Sequence, residues 1–469
     1  MTIKNNIPES MIPGFYAGYN YYAGPSGLPT NVQKVLLVGA GLASGSLPVN
    51  TPLDVYTESD VIAAVGSGSV LHSMYLAAKA AWKYTIITLV KHAEPTGASA
   101  SWTFSLTGTA TRSGIVRCWI GDTFADAAVS VGSTPTGLAP VLAAALSAKT
   151  QLLITASATD DDVKLTAKQM GEYLSAAGGI KVRVESLGTD MVASSVTMTA
   201  GTGSVDVTQA LASVFAERYH LIGLSVSDAT NLGVLRTHLD KAGGPLEKRG
   251  QRGIVSFEGT VVAAKTLQAS INHERVHIAA IKSLSNPIWE RTAGICAVFA
   301  SSSQPNKPIN HKPVVGLDVP NVPDRWSVEE EEALLFGGII PLSTSDGYLT
   351  IVRAVATKTN LDGVRLEKLV NSSVIATLDY VRDSVTAMHK EKYSDAVIHA
   401  HLASAIKEDN IAVCKTLEKA GLLRYVDDYA DDFLVEEDTD HPGRMLDVIP
   451  AHIVPELDQI YTTINMYQN

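Results

Sequence analysis

Apolar residues along the first ninety positions come in short blocks with two different rhythms. Val35–Val38 is an unbroken apolar run of strand length, and Thr85–Val90 (TIITLV) is a second. Runs of that kind suit strands covered on both faces, as in a parallel sheet. Between them, Ser69–Trp82 (SVLHSMYLAAKAAW) places apolar side chains at helical spacing among good helix formers, and Ser59-Asp60 can cap an earlier helix. Strand, helix, strand predicts an α/β layer. From about Thr96 the rhythm changes. Trp102, Phe104 and Leu106 alternate with Ser and Thr, the pattern of a half-exposed strand. Val116–Ile120, Leu152–Ala156, Val163–Ala167, Ile180–Glu185 and Val196–Met198 read as further short strands, with Pro140–Ala148 a small helix whose proline takes the tolerated first position.

The α/β rhythm then resumes. His220–Val226, Gly253–Phe257 and Val276–Ile281 read as strands, and Thr230–Lys241 and Trp289–Ala300 as helices. Ser327 caps a helix beginning VEEEEALLFGG, in which glutamates face the positive helix end and Gly337-Gly338 close it. Tyr348–Val355 reads as a strand, and a long helix follows over about Leu366–Lys390. Both chain ends lack either rhythm. Phe15, Tyr16, Tyr19, Tyr21 and Tyr22 stand in a Gly- and Pro-rich stretch where a helix is implausible, and Pro450 and Pro455 interrupt the last 25 residues. These ends are too aromatic for solvated tails and too irregular for a core of their own, so they read as arms that lie on another surface. The expected fold is an α/β (α+β) core over residues 31–95 and 208–440, a β-rich domain inserted at 96–207, and extended arms at 1–30 and 441–469.

A length of 469 residues allows two or three domains. Hydrophobic residues make up 46% of the chain and charged residues 18%. That composition fits a protein with much of its surface against other subunits, although a large single-chain core would give the same numbers. The net charge of −11 argues against nucleic acid or an anionic membrane as partner. No apolar run approaches the roughly 20 residues that span a bilayer, so no membrane insertion is expected. The opening MTIKNNIPES lacks the apolar core of a secretion signal. Cys118, Cys296 and Cys414 are odd in number and far apart, which suits buried reduced thiols in a cytoplasm better than a zinc site or a disulfide framework. A disulfide between subunits is the other reading.

Three motifs tempt an enzymatic interpretation. Gly39-Ala40-Gly41-Leu42-Ala43-Ser44 approaches a dinucleotide fingerprint, with its last glycine one residue late at Gly45. A pyrophosphate site needs that turn to enter a helix, and Pro48 and Pro52 follow instead, so a tight strand turn is expected and no cofactor. His273-Glu274-Arg275-Val276-His277 matches HExxH. Zinc chemistry needs it on a helix, where positions i and i+4 lie about 6 Å apart, whereas the strand-like VHIAAI would separate them by about 13 Å. Neither a metal nor a catalytic site is expected. Between Val426 and Asp440 the sequence VDDYADDFLVEEDTD holds eight carboxylates and no Lys or Arg, without the spacing of an EF-hand. It reads as a solvated face or one that meets a basic partner, with calcium a lesser alternative.

Residues 337–359, GGIIPLSTSDGYLTIVRAVATKT, following EEEEALLFGG, resemble the core of contractile-tail sheath proteins of bacteriophages. IPGFYAGYN resembles that family's N-terminal arm, Asn286–Gly294 (NPIWERTAG) its helix entering from the preceding strand, and GRMLDVIPAHIVPELDQIYTTINMY its C-terminal arm. The inserted block, with SWTFSLTGTATRSGIVRCWIGD and VKLTAKQMG, resembles the outer domain of the phage Mu-like branch. The resemblance spans nearly the whole chain through an ordered series of weak motifs.

It implies a structural subunit with no enzymatic role. Such subunits stack as six-membered rings around a tail tube, join by lending both arms as strands to neighbouring subunits, and contract to drive the tube through the host envelope. The implied partners are other copies of the chain, the tail tube protein, and baseplate and tail terminator proteins. The implied location is the virion, after assembly in the host cytoplasm. The expected arm contacts are Ile12, Phe15, Tyr16 and Tyr19 at one end and Val448, Ile453, Val454, Ile460 and Tyr461 at the other. Asp427, Asp428, Asp431 and Asp432 are the candidates for facing the tube. A sheath from a phage-derived bacteriocin or injection machine shares this pattern, and an α/β enzyme is the remaining alternative.

Overall fold

A computed structural model describes Leu28 and residues 31–366, 370–399 and 401–466. Nine strands form the principal sheet: β1 (Lys34–Gly39), β2 (Pro52–Val55), β3 (Ile86–Lys91), β4 (Leu221–Leu224), β5 (Arg252–Glu258), β6 (Val276–Ile281), β7 (Lys312–Pro313), β8 (Ile340–Ser345) and β9 (Tyr348–Ile351). Their spatial order is β7-β9-β8-β6-β5-β4-β1-β3-β2. The six strands from β8 to β3 run parallel, while β2 pairs antiparallel with β3, and β9 with both β8 and β7. Solid apolar runs explain the parallel part, since β1, β4 and β6 are buried almost throughout.

The crossover from β1 to β3 and those from β4 through β6 travel in opposite directions across the sheet. Right-handed connections therefore put their helices on opposite faces. Val70–Ala81, capped by Ser69, lies on one side and packs against Ile288–Ala300, which is buried nearly all round. Ala229–Gly243, Val261–Ile271 and Val328–Phe336 form the row on the other side, the last opened by a capping box between Ser327 and Glu330.

Between β3 and β4 the chain builds two antiparallel sheets. Ser101–Thr107, Asp162–Ala167, Ile154–Thr159, Val192–Ala193 and Thr197–Thr199 form one, and Thr123–Val129, Gly114–Ile120 and Val182–Leu187 the other. Trp102, Phe104 and Leu106 turn inward, as their alternation predicts, and their core is continuous with that of the principal sheet. Lys181 and Arg291 meet on the same Glu258 carboxylate, at 2.7 and 2.9 Å, and tie these sheets to β5 and to the Ile288–Ala300 helix.

Several elements differ from expectation. The helix placed at Pro140–Ala148 runs over Pro135–Ser147, because the Thr134 side chain caps it and Pro135 takes the first position, leaving Pro140 inside. The strand expected to reach Val355 ends at Ile351, after which Val355 bridges to Asn371. The long helix begins at Ser372, preceded by a small hairpin of Asn360–Leu361 and Val364–Arg365. The Val261–Ile271 helix and a final helix, Leu402–Lys419, were not anticipated.

Candidate assembly surface

Helix Ser372–Lys392 carries the C-terminal part of the chain on the amino ends of the parallel strands. Asp379 receives both terminal nitrogens of Arg275 at 2.6 and 2.9 Å and Arg382 at 3.1 Å, and Arg218 reaches Asp383 at 2.6 Å. Asp409 accepts from Lys392 and Tyr393, both at 2.6 Å, which fixes helix Leu402–Lys419 alongside. The two helices share a second, separate core of Val381, Val385, Cys414, Leu417, Leu422 and Phe433. Leu28, the sole described residue before Asn31, packs against that core. The chain thus enters and leaves through one small unit.

On this unit stands a two-stranded hairpin, Leu434–Glu437 paired with Met445–Val448. Asn410 donates to Asp447 at 3.2 Å, and Arg444 pairs with Asp438 across the turn. No third strand joins it among the described residues, and Leu434, Leu446 and Val448 are 51, 52 and 57% exposed. A lone hairpin has two open edges and is marginal in water.

The tail leaves the hairpin along its own subunit. Ile453 bridges to Leu423, Val454 N–H donates to Leu422 C=O at 3.1 Å, and Glu456 accepts from Asn371 at 3.0 Å and from Ser373. Asp458 closes the tether by accepting from Arg353 at 2.7 Å and Asn310 at 3.3 Å. Beyond it, Ile460, Tyr461, Ile464 and Met466 are 76–89% exposed, and no helix or strand forms up to Met466. Ile460, Ile464 and Met466 fall on alternate positions with Thr462, so an extended chain would present them on one face.

The expected C-terminal arm contacts therefore divide. Val448 lies in the hairpin opposite Leu434, Ile453 and Val454 engage their own chain, and Ile460 and Tyr461 stand exposed, the Tyr461 hydroxyl donating to nearby Gln459 at 2.7 Å. Ile12, Phe15, Tyr16 and Tyr19 lie outside the described residues. Asp427 pairs with Lys415 at 2.5 Å, whereas exposed Asp428, Asp431 and Asp432 make no ion pair among the described residues. The anchors Glu456 and Asp458 escaped the sequence reading. Two carboxylates in a proline-flanked extended segment are a signal of such tethering, but their partners lie 83 to 148 residues upstream.

The tempting motifs have local structural uses. After β1, the N–H groups of Leu42, Ser46 and Leu47 donate to the carbonyls of Val65, Ala63 and Ala64, at 2.8–3.0 Å, and so close the end of helix Glu58–Val65. Gly45 touches that helix end so closely that a Cβ would collide with the Ala64 carbonyl. The turn thus packs on the end of that helix instead of leading into a helix of its own. His273 Nε2 faces Asp240 at 2.7 Å, while His277 lies inside β6 with Nδ1 2.9 Å from the Val355 carbonyl, and burial pushes its pKa down to about 3. The two imidazoles serve different neighbours. All three cysteines are buried. No helix among the described residues is long and apolar enough to cross a membrane.

Comparison with known proteins gives a consistent result. Residues 200–357 match the phage tail sheath protein central domain, and residues 367–467 the phage tail sheath C-terminal domain, together more than half of the chain. The Mu-like prophage FluMu tail sheath protein of Haemophilus influenzae is 26% identical over 466 residues, covering 94% of each chain. Among solved structures, the sheath tail protein of Desulfitobacterium hafniense superposes with a TM-score of 0.51 at 13% identity, over 93% of this chain and all of that one. The anti-feeding prophage helical sheath in its contracted state gives 0.51 at 10% identity, over 97 and 99%. These likenesses establish a shared fold.

Proposed function

The chain belongs to the phage tail sheath family, and from that premise we propose that it polymerises as stacked hexameric rings around a tail tube, each subunit joined to its neighbours by both chain ends. Its role is that of a structural subunit of a contractile tail, a virion component rather than an enzyme. The free tail beyond Asp458 and the arm carrying Ile12, Phe15, Tyr16 and Tyr19 add strands to the open hairpin of adjacent copies. One observation carries this reading: Leu28 and the C-terminal hairpin stand on the same small unit, and both edges of that hairpin are unpaired among the described residues. Main-chain hydrogen bonds supply the connection, and alternate side chains such as Ile460 and Ile464 supply the register. Contacts made through such ropes persist while rings rotate and slide, so contraction proceeds without loss of connection and drives the tube through the host envelope. Val448 serves as the receiving edge, and Ile453 and Val454 as the root of the rope. The run Asp427, Asp428, Asp431 and Asp432 faces the tube, and the baseplate and terminator meet the two ends of the sheath.

Removing residues 1–20, or residues 459–469, is expected to leave a folded subunit that no longer forms tubes by negative-stain microscopy. Normal tubes from either truncation would overturn the joint. The anti-feeding prophage sheath shares the fold, which keeps a headless contractile device as the second reading. The neighbouring genes separate the two, because capsid and terminase genes accompany only a phage.

A further inference from the structure

Two exposed apolar surfaces, one edged by lysines and the other by glutamates, lie at opposite ends of the principal sheet. The first gathers at the amino ends of its β1–β3 side. Val32 precedes β1 and is 53% exposed, while Trp82, Tyr84 and Ile86 lead into β3 at 39, 67 and 37%. Strand register brings them together, because Lys34 pairs with Ile86, and Val55 with Ile87, which sets Tyr56 (74% exposed) beside Ile86. The Trp82 and Tyr84 rings meet edge to face at 5.5 Å. Lys83 covers Tyr84 at 4.8 Å, and neither Lys83 nor Lys79 has a carboxylate partner among the described residues. Lys34 in the same patch is neutralised by Glu217 at 3.0 Å, with Asp54 nearby, so the cations left without a carboxylate there are Lys79 and Lys83.

The second surface lies at the carboxyl ends. Val262, in the first turn of the helix leaving β5, is 74% exposed, and Val322 and Val328 are 75 and 71% exposed. Trp326 donates from its indole nitrogen to Ala280 C=O at 3.2 Å, and Glu330 pairs with Lys282 at 2.7 Å, which fixes this segment at the end of β6. Exposed Glu329 and Glu332 have no cation partner among the described residues. Isolated surface apolar residues need no explanation, but contiguous ones bordered by unpaired charge mark an interaction site.

We propose that the Val32–Tyr56–Tyr84 patch of one subunit docks on the Val262–Val328 surface of a second copy, forming a head-to-tail joint independent of the chain ends. The occupant follows from complementarity. Among the described residues, lysines without a carboxylate partner border one surface and glutamates without a cation partner the other. Because the surfaces face opposite ends of one sheet, the contact is heterologous and repeats from copy to copy. The joint rests on the sheath reading, and it differs from the arms in bringing rigid surfaces together.

The test is a full-length chain carrying Tyr84→Cys and Val328→Cys, oxidised before and after assembly. The native thiols are buried and silent. Assembled tubes are expected to yield a ladder of covalent oligomers, and dispersed subunits none. In parallel, Lys83→Glu alone, or Glu329→Lys with Glu332→Lys, is expected to raise the critical concentration for assembly about five-fold. All three changes together should return it to within about two-fold of the parent. Tubes that form without a ladder, and with critical concentrations unmoved by the reversals, would overturn this joint and leave the arms standing. A parent chain that forms no tubes at all would overturn the sheath reading, and this joint with it.

Discussion

Glu290 sits in the first turn of helix Ile288–Ala300, facing Asp122 from the turn after Gly114–Ile120. Asn286 bridges them, donating from Nδ2 to Asp122 at 3.0 Å and to Glu290 at 3.1 Å. Burial, then the Asp122 charge, pushes the Glu290 carboxyl from the ordinary 4.5 to about 8, against the pull of Asn286, Arg291 and Ser73. The folded chain therefore holds a proton that the unfolded chain releases over about pH 4.5–8, and stability falls as pH rises through that window. Above about 8 both states are ionised and the dependence ends. Glu290→Gln is expected to flatten the decline of Tm over that range and to raise Tm at its upper end. A variant with the parent's slope would show that Glu290 is already ionised in the folded chain. Burial acts in the same direction on the thiols, with Cys118 pushed to about 12 and Cys414 to about 11, so little thiolate forms near neutrality.

Among the elements, the docking of helix Ser372–Lys392 depends on one carboxylate. Asp379 holds Arg275 and Arg382, whose side chains are 13 and 28% exposed. Asp379→Ala leaves both guanidiniums without that partner and is expected to lower unfolding free energy by about 3 kcal/mol in chemical denaturation. A loss under about 1 kcal/mol would show that apolar packing alone holds the helix. The sequence indicates such elements unevenly. Strand Val276–Ile281 and helix Ile288–Ala300 match their apolar rhythm almost to the residue, because both are buried nearly throughout. Helix Leu402–Lys419 buries only the narrow stripe Leu402, Ile406, Asn410, Cys414 and Leu417, and the polar Asn410 within it hides the period. The Val261–Ile271 helix opens on two β-branched residues that favour strand, and the Thr260 cap decides otherwise. At the candidate assembly surface, the extended, proline-broken character of the tail was legible from composition. The tether of Glu456 and Asp458 was not, since it depends on Asn371, Ser373, Arg353 and Asn310, which only folding brings near.

For the molecule as a whole, the sheath reading demands contacts of two kinds: those that hold throughout contraction and those that let go. Added strands suit the first, since their hydrogen bonds form an unbroken ladder. In the proposed mechanism the hold on the tube belongs to the second, because a sheath that slides along a tube has to release it. Exposed charges fit such a releasable contact, since each contributes at most about 1 kcal/mol and is screened by salt. The run Asp427, Asp428, Asp431 and Asp432 has these properties, lying exposed beside the buried Phe433 with a single ion pair, Asp427 to Lys415, among the described residues. Asparagine at all four positions keeps the shape and removes the charge, so Tm is expected to hold within about 2 °C. Affinity for purified tube protein should fall about ten-fold at low ionic strength, and its salt dependence should flatten. If the asparagine chain binds the tube as tightly as the parent and with the same salt slope, the acidic run faces solvent, and another surface holds the tube.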